Sequence, residues 1–148
     1  VAEVIGYQIV SYSAHDLPQH YRPYIYSKWL RKLRYGNDYF QLIHSPAYYG
    51  TYRTYLNNIL QTLNCVVRLA LLPPEKIDDP EVVLGFSVAR GNILDFVYVL
   101  NDMRRQGIGR KLVPAGIDTY THITKDAIAV LAHLAGGEIW KWKFNPFV

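Results

Sequence analysis

Three apolar runs follow one another with only turn chemistry between them: 65–72 (CVVRLALL), 82–90 (VVLGFSVAR) and 93–100 (ILDFVYVL). Their β-branched and aromatic content predicts three consecutive strands. Pro73-Pro74 and the polar stretch 75–80 suit an antiparallel pair with a long connection, and Gly91-Asn92 makes a tight turn into the third run. A chain with such a meander at its centre builds a sheet, and the flanking sequence has to cover it.

That flanking sequence reads as helices and short strands. Residues 4–11 (VIGYQIVS) predict a first strand. Over 19–35, Ile25, Trp29 and Leu33 recur every four residues while Arg22, Lys28, Arg31, Lys32 and Arg34 fill other positions, as in an amphipathic basic helix. After the turn Gly36-Asn37-Asp38, the spacing of Tyr52, Tyr55, Leu56, Ile59, Leu60 and Leu63 predicts a second helix over 48–63. A short helix after Gly109, a short strand over 120–123, a helix over 125–135 and a strand over 138–144 complete the order β-α-α-β-β-β-α-β-α-β. There is no internal repeat and no linker, so the expectation is one α/β domain over 1–148, a mixed, largely antiparallel central sheet flanked by helices.

Composition narrows the function classes. Half of the residues are apolar or aromatic, enough for one core. The lone Cys65 rules out an internal disulfide framework and a cysteine zinc cage, which points to a reducing, cytoplasmic setting. No stretch approaches the ~18 to 20 apolar residues of a membrane span, and no secretory signal is evident. The five histidines lack metal-ligand spacing, so no metal is expected. A net charge of +4 and a pI near 9.1 favour an anionic ligand. Of 13 tyrosines, 11 lie at or before Tyr55; those at 48, 49, 52 and 55 read as a helix face packed on the sheet, or as the lining of an acceptor groove.

The segment from Asp95 to Val113 carries the most specific pattern: an apolar strand, a loop, then Arg104-Arg-Gln-Gly107-Ile-Gly109-Arg-Lys. Glycines at 107 and 109 bare the backbone, and a helix starting there offers free N–H groups and a positive dipole end to a pyrophosphate. Arg104, Arg105, Arg110 and Lys111 add positive charge. Neither a P-loop nor a dinucleotide fingerprint fits.

At these residues the chain resembles the GNAT superfamily of acyl-CoA N-acyltransferases, whose signature is Arg/Gln-x-x-Gly-x-Gly/Ala after an apolar strand. Small proteins of this appearance also occur among bacteriophage genes, which leaves a viral source open. The resemblance implies transfer of an acetyl group from acetyl-CoA to an amine by direct attack, with no covalent enzyme intermediate and no metal. It assigns the diphosphate to the amides of Gln106, Gly107, Ile108 and Gly109, with Arg104, Arg105 and Arg110 nearby. The pantetheine arm goes to the backbone around Val99 and Leu100, at a splay in the sheet.

In such an enzyme Asp95, four residues before Val99 and by alternation on the same strand face, is the candidate base; the other reading is a cap on the Asn92 turn. His133 stands where the family's acidic tyrosine would fall, or serves as a helix C-terminal dipole partner. Tyr120 and His122 are further candidates. Departures are Pro114, which should kink the glycine-loop helix or end it near Val113, and room for one late strand where the family usually has two, which leaves part of the acceptor side absent or supplied by a second chain. Trp140 and Trp142, on one strand face, pack in the core or form an edge or homodimer contact. The acceptor amine, a small molecule, protein or nucleic acid, is not specified. The alternative is a non-catalytic module that binds nucleic acid or a protein partner through the basic aromatic helix, tested by charge reversal at Lys28, Arg31 and Arg34.

Overall fold

A computed structural model describes residues 6–104, 106–122, 124, 132 and 141–148. In chain order the elements are β1 (Gln8–Ser13), α1 (Arg22–Tyr35), α2 (Asp38–Gln41), α3 (Ser45–Leu60), β2 (Cys65–Leu72), β3 (Val82–Arg90), β4 (Ile93–Val99), α4 (Ile108–Leu112), β5 (Thr119–Tyr120) and β6 (Lys143–Phe144), with 3-10 turns at Ala14–Asp16, Gln19–Tyr21 and Asn101–Met103. The sheet runs β1-β2-β3-β4-β5-β6. Its first four strands are antiparallel, and β4, β5 and β6 are mutually parallel. The architecture is α/β, with a mixed sheet carrying helices on its faces.

The meander forms where the apolar runs predict it. Alternation along β2 sends Val67, Leu69 and Leu71 to one face and Ala70 to the other. The first face packs on Ile25, Trp29 and Leu33 of α1 and on Tyr48, Leu56 and Ile59 of α3, with the Trp29 ring stacked 5.2 Å from that of Phe96. The opposite face packs Ala70, Leu84 and Val99 on Ile108 and Leu112 of α4. Farther along the sheet Leu94, Ala89, Ile117 and Tyr120 form a small third cluster.

Local chemistry sets the helix starts. Pro23 and Pro46 sit in the first turns of α1 and α3, where a missing N–H costs no intrahelical bond. α3 accordingly begins three residues earlier than its apolar spacing predicts. The Tyr48 hydroxyl donates to the Leu30 carbonyl at 2.6 Å and ties α3 to α1. Asp38, the last residue of the expected turn Gly36-Asn37-Asp38, instead opens the single turn α2 over Asp38–Gln41. β1 reaches Ser13 because its pairing with β2 continues to Val66. The helix expected over 125–135 lies outside the described residues apart from residue 132, as does the 138–140 part of the last expected strand.

Two irregularities shape the centre. The β3–β4 register shifts between Val88 and Ala89: Val88 faces Phe96 and Ala89 faces Leu94, so Asp95 is the extra residue of a β-bulge. The bulge overturns the alternation expected for β4. Asp95 turns toward Arg90 on the α1/α3 side, whereas Val99 packs on the α4 side. In addition, β5 pairs with β4 only at Ile93 and Leu94. β5 ends at Tyr120, so the last five residues of β4 have no β5 partner.

Candidate active site

The glycine segment folds against the end of β4. Gly107 has φ of +81°, a left-handed conformation that side chains resist, and it caps α4. The amides of 107–109 precede the first intrahelical bond, from the Lys111 N–H to the Gly107 carbonyl at 3.2 Å. Gly109 faces Val99: a Cβ there would lie 3.6 Å from Val99 Cγ2, so this turn rests on the final residue of β4. Ile108 and Leu112 anchor the helix in the core, and the Ser87 hydroxyl donates to the Leu112 carbonyl at 2.7 Å. As Pro114 predicts, α4 stops at Leu112, and Val113 is extended (φ −84°, ψ 122°).

Val99, Leu100, Arg104, Gln106, Gly107, Ile108, Gly109 and Arg110 thus come together at one corner of the sheet; Arg105 lies outside the described residues. Arg104 differs from expectation in detail. The Arg104 Nε–H donates to the Val99 carbonyl at 3.1 Å, so this guanidinium buttresses the end of β4. Ile108 is fully buried and offers only its backbone.

On the α1/α3 side of β4 lies a polar chain. Asp95, 1% exposed, accepts from Arg90 Nε–H at 2.7 Å and Arg90 Nη2–H at 2.8 Å. The Thr121 hydroxyl donates to Asp95 Oδ1 at 2.8 Å. That leaves its oxygen to accept from His122 Nδ1, also at 2.8 Å, an arrangement that keeps Nε2 as the lone-pair nitrogen. The His122 ring sits edge-on to Trp29 and tilted against Tyr55, and burial pushes its pKa down to about 4 despite the raising influence of Asp95. Its neutral form prevails at pH 7.

Asp95 is therefore the anchor of a relay, and its partners Arg90 and Thr121 went unrecognised because the bulge that joins them is not written in β4 alone. Tyr120 points elsewhere, into the third cluster, with its ring 5.4 Å from Phe144. Trp142 packs partly on that cluster. His133 and Trp140 lie outside the described residues.

The basic residues of α1 do not share a face. Arg34 is buried, donates to the Ile43 carbonyl at 3.0 Å and stacks over Tyr48. Lys28 and Lys32 each lie 5.8 Å from the Tyr98 ring at the end of β4. Arg22 and Arg31 line the opposite side, toward α3. Burial pushes the Cys65 thiol up to about 12, as befits a core residue. Among the described residues no cluster of His, Cys, Asp and Glu could hold a metal, and no helix is long and apolar enough to cross a membrane. No family model, curated protein or solved structure matches the chain.

Proposed function

We propose that the chain is an acyl-CoA-dependent N-acyltransferase of GNAT type that moves an acetyl group from acetyl-CoA to an amine. The observation that carries this reading is the junction of two features in one corner: a strand end that, among the described residues, runs on past the two-residue β5, and the Gly107-capped turn resting on Val99. The amides of 107–109 at the start of α4 suit a diphosphate, and Arg110 and Lys111 lie beside them. The backbone at Val99 and Leu100 suits the amide-bearing arm. Acetyl-CoA supplies the activated acyl group.

The chain's own part is to hold the thioester at the end of β4 and to accept a proton from the amine. His122 Nε2 serves as that acceptor, with Asp95 acting through Thr121 to fix the ring and its tautomer. Asp95 is then a positioning residue. Lys28 and Lys32, near Tyr98, favour an acceptor that carries negative charge.

The test is release of CoA thiol from acetyl-CoA in the presence of a panel of amines. Turnover is expected with at least one amine, and Thr121→Val should lower kcat by about tenfold to a hundredfold while leaving KM for acetyl-CoA unchanged. If acetyl-CoA binds but Thr121→Val matches the parent across pH 6 to 9, the relay has no part in the reaction.

A further inference from the structure

A groove of about 740 Å³ runs between α1 and α3 on the side of these helices facing away from the sheet, apart from the corner formed by β4 and α4. Arg22, Arg31 and Arg53 rim it, Tyr26 and Tyr49 line it, and Asn57 accepts a hydrogen bond from the Tyr26 hydroxyl across it. Arg22 is fixed by donating to the Ala14 carbonyl at 2.8 Å, and the Arg53 guanidinium lies 5.9 Å from the Tyr26 ring centre. Among the described residues no carboxylate lines the groove. The surrounding sequence is equally one-sided, since Asp38 is the only acidic residue between Asp16 and Glu75, a stretch holding seven of the 16 Lys and Arg residues.

Three guanidinium groups on one rim suit phosphates, whose oxygens match the planar fork of arginine. Aromatic rings and a guanidinium stacked on one of them suit nucleobases. Packed helix axes lie about 8–10 Å apart, so the cleft between them admits one strand and not a duplex. An acidic peptide would use the arginines and leave the rings idle. We propose that the α1–α3 groove binds single-stranded nucleic acid, with Arg22, Arg31 and Arg53 on phosphates and Tyr26 and Tyr49 against bases. This proposal does not depend on the transferase reading.

The experiment is fluorescence anisotropy of a labelled twelve-nucleotide oligo-dT with the full chain. Binding at 50 mM NaCl should weaken roughly 20-fold at 200 mM, as three phosphate contacts to a single strand require. Arg31→Glu and Arg53→Glu, both at exposed positions, should each weaken binding at least tenfold, with the far-ultraviolet circular dichroism unchanged. The same charge reversal at exposed Lys76, remote in sequence from both helices, should change it less than twofold. Gly109→Glu should keep oligo-dT binding. Absence of binding at 50 mM NaCl, equal effects of the Lys76 and Arg31 reversals, or equal competition by a poly-glutamate peptide or inorganic triphosphate would each overturn the proposal.

Discussion

Gly85 and Gly109 show how two glycines on either side of the same corner do different work. A Cβ on Gly85 would lie 2.4 Å from the Tyr98 carbonyl oxygen and 3.2 Å from the Leu112 side chain, contacts that neither a paired strand nor an anchored helix can yield. Gly85→Ala should therefore destabilise by about 2–3 kcal/mol in urea melts, the usual penalty of overpacking. Gly109→Ala meets only ordinary contact with Val99 and should shift stability by less than about 0.5 kcal/mol. The Asp95–Arg90 pair is a second point of sensitivity. Asp95→Ala strips the partner from a cation that also donates to the Val148 carbonyl, and should cost about 3–5 kcal/mol. Removal of a base without structural duty would abolish turnover and leave the urea midpoint in place. Equal midpoints for Asp95→Ala and the parent would contradict the anchoring role.

At the scale of elements, the segment that follows β5 is tied into the relay, and its titration has a definite sign. The native state holds His122 neutral down to about pH 4, whereas the unfolded chain protonates it near 6.5. The unfolded state binds the extra proton between these values, so stability present above pH 6.5 is lost as the pH falls. Allowing for the partial exposure of the residue, about 1 to 2 kcal/mol should disappear between pH 7 and pH 5. His122→Gln should flatten that slope in urea melts at the two pH values; an unaltered slope would mean that other groups carry it. Strands β2 and β3 could be read to the residue, because β-branched runs bounded by proline, asparagine and glycine leave little choice of limits. The relay could not, because Asp95 changes face through a bulge set by the register of β3, and Thr121 meets it across the sheet. Single-turn α2 carries too little periodicity to announce itself.

Across the whole molecule, the two sheet faces are used differently. The α1/α3 layer holds the larger core and the one-sided basic charge, while the opposite face carries the short α4 and the glycine corner. The sequence places five basic residues in α1, and an amphipathic reading assigns them one solvent face. In the fold they divide among a buried buttress at Arg34, the Tyr98 neighbourhood and the α3 groove. That division follows from packing on both sides of α1, which four-residue spacing alone does not reveal. The glycine corner was legible because strand, loop, glycines and proline stop stand contiguous in the chain.

The account rests on that corner holding the diphosphate of CoA, and a thermal-shift titration with acetyl-CoA, CoA and ATP on the parent and Gly109→Glu addresses it directly. At a hundredfold excess over the dissociation constant, acetyl-CoA and CoA should stabilise the parent by about 2.7 kcal/mol, raising Tm by roughly 8 °C. Gly109→Glu adds a carboxylate to the corner and should abolish the shift without altering the unliganded Tm by more than about 3 °C. No shift at millimolar acetyl-CoA, or an equal shift in the variant, would contradict the account.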